Sequence, residues 1–382
     1  MNKKLLIITT SVKSFSYILK DQPAYLNKYF LVCVGSSESE LIKKYAIKLG
    51  VKYFPIPMYR KINLFSDIRS IYHLSLALLK FRPDIIHSYT PKAGLVCAIS
   101  GYLCRIPIRI HTFTGLIFPY KKPFMQFILA IIDSLICKLS THIIAEGQGV
   151  KRLLLENNIT NTPLHIIGNG NIAGVDTHYF NPENFIQSKQ IDKIRRTFNI
   201  NENSITFIFA GRINKDKGII ELLNAYTKNH NENINLIIIG EFETKEFELK
   251  VLKKIENSTN KIWVEGWKDD IRPYLFISDC FILPSYREGF PNVVLQAGAM
   301  MLPSIVTNVP GSNEIINNNY NGWICNSRNS GELGYCINRV ASMSKSELVK
   351  IGNRARKNVE RKYEKTIYQK QLVEFYNQIQ TK

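Results

Sequence analysis

The feature that most constrains this chain is a double series of short apolar runs that alternate with helical patterns. The runs of the first series are residues 5–8, 30–34, 52–56, 84–87, 108–113, 142–145 and 164–167. Those of the second series are residues 206–210, 235–240, 262–265, 280–284 and 304–307. Strands that are apolar throughout and separated by helices are typical of parallel sheets, which are covered on both faces. The sequence therefore predicts an α/β fold with two tandem, doubly wound, Rossmann-like parallel sheets.

Chain length and a polar interruption indicate where the two domains divide. A chain of 382 residues exceeds what one hydrophobic core usually holds, so two domains are expected. The segment 181–204, rich in Asn, Lys and Asp, separates the two series of strands. We predict an N-terminal domain over residues 1–180 and a C-terminal domain over residues 181–360. A final helix, residues 361–382, is expected to pack back on the first domain.

The positive charge of the chain is concentrated in its N-terminal half. The net charge is +19, and residues 1–180 contribute +13 of it, from 22 Lys and Arg against 9 Asp and Glu. Such a surplus attracts nucleic acid, an anionic membrane or phosphorylated substrates without choosing among them. The sequence has no RNA-binding aromatic signature, zinc-finger spacing, P-loop or GxSxG motif. We therefore expect no nucleic-acid partner, and neither a P-loop nucleotidase nor a serine hydrolase.

Cysteine usage and the distribution of apolar residues bear on the compartment. Seven cysteines, mostly within apolar runs and without metal-ligand spacing, predict buried thiols in a reducing cytoplasm. The start, MNKKLLIITT, has too short an apolar run for a signal peptide and predicts a strand. Segment 124–139 is the most apolar, but it is shorter than the ~20 residues that a membrane span needs and contains Asp133. We expect a core helix there in preference to a helix that lies in a membrane interface.

A polar loop after the predicted strand 280–284 combines groups that suit a ligand with hydroxyls and phosphates. Glu288 follows the carboxyl end of this strand, and a helix is expected to begin near Asn292. The free N–H groups at that helix start point back at the loop. Gln296 lies about one turn into the helix, on the side that faces Glu288. The alternative is that Glu288 is an exposed loop acid paired with its neighbouring arginine or with a lysine.

A second candidate segment is GRINKDKG, residues 211–218, which follows the predicted strand 206–210 and precedes a helical pattern. Arg212 and Lys217 are thereby placed where cations and backbone donors together can hold a diphosphate. Because ligand sites of parallel sheets form at the carboxyl ends of the strands, we expect these cations on the same sheet edge as Glu288. Taken alone, the segment is equally well interpreted as surface charge at a helix start.

One histidine of the first domain is a further candidate. HTFTGLIF, residues 111–118, ends a predicted strand and turns at a glycine. His111 and Thr114 are candidates to face a cleft between the domains. A histidine inside a strand is at least as often a satisfied core residue, so both interpretations stay open.

These segments resemble the retaining glycosyltransferases of family 4, which have the two-domain GT-B fold. The likeness covers essentially the whole chain and is strongest over residues 211–316. GRINKDKG resembles the donor-phosphate loop of the family, and residues 265–307 resemble its nucleotide-sugar region. HSYTPKAG, residues 87–94, and HTFTGLIF resemble segments of the first-domain cleft. Within the family, the chain looks most like bacterial enzymes that extend lipid-linked O-antigen or capsule repeat units.

The resemblance implies a role for each matching residue. Arg212 and Lys217 would neutralise the donor diphosphate as it leaves, Glu288 would bind hydroxyls of the donor sugar, and His111 is a further catalytic candidate. The donor-binding set would be Arg212, Lys217, Glu288, Gly289, Phe290, Pro291, Asn292 and Gln296. In this set, Gln296 would hold the ribose. Enzymes of this kind generally need no metal, so no metal site and no cofactor beyond the nucleotide-sugar substrate are expected.

The resemblance also implies a reaction and a place for it. The chain would move a sugar, with retention, from a nucleoside-diphosphate sugar to a polyprenyl-diphosphate-linked saccharide. A UDP-hexose or a UDP-N-acetylhexosamine is the favoured donor. The enzyme would be cytoplasmic and peripheral to the inner face of the cell membrane, where the basic first domain would meet anionic lipid.

Two departures from the family pattern keep alternatives open. Gln296 stands where the family has a second glutamate, and Thr114 stands where it has a histidine before a glycine. A nucleotide-sugar epimerase with the same fold is one alternative, and a glycosyltransferase-like binding protein without turnover is another. Nucleic-acid binding through the basic half is a third, less favoured one.

Overall fold

The computed structural model describes residues 3–59, 63–201, 203–228, 231, 233–256, 258 and 260–379. The chain forms two compact units, one of Met1–Gly174 with Thr366–Lys382, the other of Val175–Lys365. The second unit thus begins at Val175 and not at residue 181, and it ends at Lys365 and not at residue 360. The reason lies in two backbone hydrogen bonds, from Val175 N–H to the carbonyl of Tyr363 and from Lys365 N–H to the carbonyl of Val175. They tie the two ends of this unit together.

The first unit is built on a parallel sheet. Its strands are β1 (Lys4–Ile8), β2 (Leu31–Ser36), β3 (Lys52–Pro55), β4 (Ile85–Ser88), β5 (Ile108–Phe113), β6 (His142–Ala145) and β7 (Leu164–His165). Among the described residues the strand order is β3-β2-β1-β4-β5-β6-β7, with every pairing parallel. All seven strands correspond to runs of the first predicted series.

Helices cover both faces of this sheet. They are α1 (Val12–Ser14), α2 (Gln22–Leu26), α3 (Ser39–Leu49), α4 (Leu64–Phe81), α5 (Pro91–Leu103), α6 (Pro123–Leu139) and α7 (Gln148–Glu156). Successive residues of a strand point to opposite faces of its sheet. Leu5 of β1 therefore joins the core beneath α3 and the C-terminal helix, whereas Leu6 joins the core beneath α4 and α5.

The second unit repeats the plan. Its strands are β8 (Ile205–Ala210), β9 (Ile234–Ile239), β10 (Lys261–Glu265), β11 (Cys280–Leu283), β12 (Ser304–Thr307) and β13 (Gly322–Cys325). The order within the described residues is β10-β9-β8-β11-β12-β13, again with parallel pairing throughout. The prediction of two parallel α/β sheets is confirmed. The sequence reasoning did not include β13, because its run of four residues begins with glycine and follows a polar segment.

The helices of the second unit have the following residue ranges. They are α8 (Lys189–Thr197), α9 (Ile219–Thr227), α10 (Lys245–Glu256), α11 (Arg272–Phe276), α12 (Asn292–Ala299), α13 (Ser312–Ile315), α14 (Ser330–Ala341) and α15 (Lys345–Lys362). The C-terminal helix α16 (Lys365–Gln378) follows and belongs, from Thr366 onwards, to the first unit. Its buried side chains Leu372 and Tyr376 pack into the core of that unit.

Helix α6 is not the core helix that its apolar composition predicts. Its buried side chains are Asp133, Ile136 and Cys137, which lie on one face. On the opposite face, large apolar side chains such as Phe124 and Phe127 are exposed. The sequence reasoning failed here because apolar residues lie on all sides of this helix, so their spacing does not distinguish a covered face from an uncovered one. No helix within the described residues is both long and apolar enough to cross a bilayer.

We predict that Asp133 makes the stability of the chain depend on pH. Burial raises the pKa of this carboxyl from 3.8 to about 7 in the folded state. A raised pKa means that the folded chain holds the proton more tightly than the unfolded chain. The contribution to stability is therefore full below about pH 4 and is lost as the pH rises through about 7. Asp133→Asn should melt above the native chain at neutral pH and higher.

The measurement is thermal unfolding of both chains across this pH range. The difference between their melting temperatures should grow from about pH 4 to about pH 7 and then stay constant. A difference that does not change with pH would contradict the assigned pKa. Asp192→Asn on α8 is a matched control, because it makes the same change at an exposed carboxylate.

Candidate functional site

The strand order of the second unit reverses between β8 and β11. These strands are direct neighbours, and both end at the same edge of the sheet because they are parallel. In open α/β sheets, ligands bind in the crevice outside the carboxyl ends of the strands at such a reversal. Both candidate segments lie there: residues 211–218 follow β8, and residues 284–291 follow β11.

The segment after β8 folds into a tight turn that is fixed against β11. The Asn214 side chain accepts a hydrogen bond from the Lys217 N–H at 3.1 Å, which caps a single 3-10 turn. Gly218 then has a φ of +67°, and a Cβ there would lie 2.0 Å from the carbonyl oxygen of Pro284. Only glycine permits both the left-handed backbone and this close approach. Lys217 is thereby held next to the strand end from which Glu288 follows.

Two further contacts join the loops that follow β8 and β11. The Tyr286 N–H donates to the carbonyl oxygen of Asp216 at 2.8 Å. The Arg287 guanidinium donates twice to the Asp216 carboxylate, from Nη2 at 2.7 Å and from Nε at 3.0 Å. Arg287 is therefore engaged by Asp216 and is not the partner of Glu288. Each loop fixes the conformation of the other.

Lys217 and Glu288 are in direct contact. Lys217 Nζ lies 2.6 Å from Glu288 Oε1, with 19% and 11% of the two side chains exposed. A charged pair that is largely removed from water keeps a defined geometry, since separating it would leave a charge desolvated. The ammonium has three N–H donors and uses one here, and the carboxylate keeps its second oxygen. The pair therefore presents both a cation and an acceptor at the strand ends.

The backbone from Gly289 to Pro291 is packed from two sides. The Phe290 side chain is buried, with its ring centroid 5.5 Å from that of Tyr363. Gly311, with a φ of +76°, approaches so closely that a Cβ there would lie 2.2 Å from the Gly289 carbonyl oxygen. Phe290 thus anchors the loop, so only its backbone is available to a ligand.

Helix α12 begins at Asn292, directly after this anchored loop. Pro291 occupies its N-cap position with an extended backbone and no side-chain cap. The positive end of the helix dipole therefore lies beside the loop that carries Glu288. Gln296 is half-buried one turn further along the same helix. The predicted helix start is confirmed, whereas the roles of Asn292 and Gln296 in ligand binding stay predictions.

Arg212 lies apart from the pair of Lys217 and Glu288. Its side chain is 67% exposed, and its Nη1 lies 3.8 Å from a carboxylate oxygen of Glu243, in the loop after β9. An exposed pair at this distance contributes little free energy of stabilisation, so the guanidinium can readily leave Glu243 and bind another anion. The structure thus brings together two of the three charged residues predicted in this unit and gives the third a different partner.

His111 is a buried residue of β5 in the first unit. Its Nδ1 lies 2.9 Å from the Ser88 hydroxyl, and a Cβ on Gly94 of α5 would lie 2.5 Å from its ring. Burial lowers the pKa of the imidazole to about 3, so the ring is neutral at physiological pH. Nearby Thr114 is half-buried, and its hydroxyl donates to the Tyr89 carbonyl at 3.3 Å. This environment is that of a packed core histidine, and its catalytic role stays a prediction.

The sequence reasoning missed the residues that support the site. Asn214 had a recognisable signal, since asparagine three residues before Lys217 is a frequent turn cap. Asp216 and Gly311 had none, because their partners lie far away along the chain. The close approach that requires glycine at residue 311 and the ion pair between the two loops form only when β8, β11 and β12 lie side by side.

Two family models match the chain and divide it much as the fold does. The model for glycosyl transferases group 1 matches residues 190–358, which include both loops of the candidate site. The model for glycosyltransferase family 4 matches residues 28–172 of the first unit.

Two relatives and a solved structure agree with these matches. A capsular polysaccharide biosynthesis glycosyltransferase of Staphylococcus aureus is 30% identical over 98% of this chain and 97% of its own length. The UDP-Gal:α-D-GlcNAc-diphosphoundecaprenol α-1,3-galactosyltransferase of Escherichia coli is 27% identical over 72% of this chain and 71% of its own. The crystal structure of a glycosyltransferase from Rickettsia africae superposes with a TM-score of 0.81 at 23% identity, covering 99% of this chain and 98% of the other. With two parallel-sheet units and candidate residues at a sheet reversal, the chain belongs to glycosyltransferase family 4 and has the GT-B fold.

Proposed function

We propose that this enzyme transfers a sugar, with retention of anomeric configuration, from a UDP-sugar to a polyprenyl-diphosphate-linked saccharide of a bacterial surface polysaccharide. The observation that carries the proposal is the contact between Lys217 and Glu288 at the sheet reversal of the second unit. The name of the Escherichia coli relative supports both substrate classes, since it specifies UDP-Gal and a diphosphoundecaprenol-linked sugar. The name of the Staphylococcus aureus relative supports a role in capsule synthesis.

In this proposal, Lys217 and the start of α12 stabilise the leaving group. Breaking the bond between the sugar and the diphosphate leaves negative charge on the UDP oxygen. The two remaining N–H donors of the Lys217 ammonium and the positive end of α12 offset that charge without a metal ion. Exposed Arg212 supplies a second cation when it exchanges Glu243 for phosphate.

Glu288 is proposed to position the donor sugar. A carboxylate accepts hydrogen bonds from two neighbouring hydroxyls, and the contact with Lys217 keeps it oriented. Gln296 cannot ionise, so the two residues are not the acid and base of a glycosidase-type pair. In the proposed step, the acceptor hydroxyl attacks the anomeric carbon on the face from which UDP departs. Attack on that face gives retention, and the proton of the acceptor hydroxyl passes to an oxygen of the leaving diphosphate.

Gln296 is proposed to hold the ribose of the donor. Its amide both donates and accepts hydrogen bonds, which suits a vicinal diol, and its position on α12 is one turn from Asn292. A neutral amide makes weaker bonds to hydroxyls than the glutamate that the family pattern has at this position. Binding of the nucleotide therefore depends more on the other groups of the site.

We predict that Glu288→Ala and Lys217→Ala each lower turnover on the order of 100-fold, because each removes an interaction that is aimed at charge or at the reacting sugar. The measurement is release of nucleoside diphosphate from UDP- and GDP-sugars in the presence of a membrane extract that supplies acceptors. The anomeric configuration of the product, read from its NMR coupling constants, tests retention in the same assay.

A matched control comes from the opposite end of β11. Lys345 pairs with Asp279, just before this strand, at 3.4 Å. Lys345→Ala therefore removes an ion pair of the same unit at the sheet edge away from the site, and it should retain native turnover. Release of nucleoside diphosphate by the native chain that does not exceed that of Glu288→Ala would falsify the transferase assignment to this site.

We predict separate effects for substitutions of Gln296. Gln296→Ala should raise the KM for the donor about three- to tenfold with little change in kcat, the effect of losing a hydrogen bond that is equally strong in the ground and transition states. Gln296→Glu should lower this KM or leave it unchanged, because a carboxylate accepts stronger hydrogen bonds from a diol. Steady-state kinetics with varied donor tests both, and a kcat effect without a KM effect contradicts a ribose contact.

We predict that turnover does not need a divalent metal. In the proposed mechanism, Lys217, Arg212 and the start of α12 offset the negative charge of the leaving diphosphate. Removal of divalent metals by EDTA should therefore leave the rate unchanged within about twofold. The measurement is nucleoside diphosphate release before and after chelation, followed by addition of Mg²⁺ or Mn²⁺. Loss of activity on chelation and its restoration by metal would reject this part of the mechanism.

A further inference from the structure

Three helices in one layer of the first unit expose an unusual number of apolar side chains. Helices α4 and α6 both pack against α5, which lies between them. Of the large apolar side chains exposed in the described part of the chain, six lie on α4, two on α5 and five on α6. Isolated exposed apolar residues are normal in a protein surface, but a concentration on adjoining elements marks an interaction site.

The exposed side chains form a stripe on each of the two outer helices. On α4 they follow helical spacing through Phe65, Ile68, Tyr72, Leu76 and Leu79. The buried side chains of this helix, among them Leu74, Leu78 and Phe81, point about half a turn away and pack on the sheet. The α4 stripe therefore faces outward, away from the core.

Helix α6 repeats this arrangement. Its outward stripe runs through Phe124, Phe127, Ile131 and Leu135, with Phe124 77% exposed and Phe127 66% exposed. Its buried side chains lie on the opposite face of the helix. Together, the outward side chains of α4, α5 and α6 form one surface, here called the three-helix face.

The charges of the three-helix face have a single sign. The sequences of α4, α5 and α6 contain two acidic residues, Asp67 and Asp133, and both are buried. Asp67 is also neutralised by Lys92, whose Nζ lies 2.6 Å from its carboxylate. The exposed charges on or next to these helices are cations, namely Arg69, Lys80, Arg82, Arg105, Lys121, Lys122 and Lys138.

We propose that the three-helix face docks this enzyme on an anionic lipid bilayer. Aromatic and aliphatic side chains would enter the boundary between headgroups and acyl chains, while the lysines and arginines that flank them contact lipid phosphates. This inference rests on the proposed function, which places the acceptor in a membrane, and it identifies the surface that would bring the enzyme there.

Charge decides between a bilayer and a second copy of the chain. A symmetric dimer through this face would place the same patch on both sides and bring its cations together without acidic partners. Anionic headgroups supply the missing negative charge along the whole face. The face therefore complements a bilayer and not itself.

Vesicle sedimentation of the full chain tests the proposal. The native chain is compared with the triple variant Phe65→Ser, Phe124→Ser, Phe127→Ser on phosphatidylcholine vesicles with and without phosphatidylglycerol. Because all three side chains are exposed, the variant should keep the native melting temperature. We expect its partitioning to anionic vesicles to fall about tenfold or more, since each substitution removes an inserted ring.

Charge variants and a control complete the experiment. Lys121→Gln with Lys122→Gln should weaken binding to anionic vesicles and leave the weak binding to neutral vesicles unchanged. Leu249→Ser, which removes an exposed apolar side chain of α10 in the second unit, should bind like the native chain. Equal binding by the native chain and the triple variant would overturn the proposal. So would a native dimer that the triple variant dissociates, without any binding of the native chain to vesicles.

Transfer to a short-chain, water-soluble prenyl-diphosphate saccharide separates this proposal from the proposed function. The triple variant should retain native turnover on this acceptor, because its substitutions lie outside the donor site, and lose turnover on acceptor embedded in vesicles. If the native chain binds vesicles but transfers to neither acceptor, the proposed function fails and the docking surface stands. If it transfers to the soluble acceptor and does not bind vesicles, the docking surface fails alone.

Discussion

The candidate site depends on the close approach of two loops at the reversal of the second sheet. Gly218 lies so near the Pro284 carbonyl that any side chain would separate the loops that follow β8 and β11. Asp216 then engages Arg287, which leaves Glu288 to pair with Lys217. A charged pair with this little exposure is retained only where its surroundings fix its geometry. The backbone packing thus decides which charges meet, and the charges decide what the site can bind.

The two units differ in what they expose. In the second unit, charged residues gather at the carboxyl edge of the sheet, where a parallel sheet offers a crevice. In the first unit, the notable surface is a layer of helices with outward apolar stripes and flanking cations. Because Asp67 and Asp133 are buried, they add no negative charge to that surface. Burial removes the Asp133 carboxyl from water, and this raises its pKa. The crevice of the second unit suits a small anionic ligand, and the helix layer of the first unit suits an extended anionic surface.

Much of the fold was predictable because its signals are local. The run of β8 is apolar except at Thr206 and is buried at every position, since parallel strands are covered on both faces. The start of α12 was predictable from Pro291 and Asn292, which favour a helix start. Strand β13 was missed because its short, glycine-led run carries little periodic signal. Helix α6 was assigned to the core because composition records how apolar a helix is and not which of its faces a neighbour covers.

The sequence by itself determined the alternation of strands and helices, the two parallel sheets and the placement of Lys217 and Glu288 at strand ends. These follow from the order and polarity of neighbouring residues. The tertiary structure decided that Lys217 and not Arg212 contacts Glu288, that His111 is enclosed by Ser88 and Gly94, and that one helix layer has an uncovered apolar face. Each of these depends on residues that are distant along the chain and adjacent only after packing, so no local pattern encodes them.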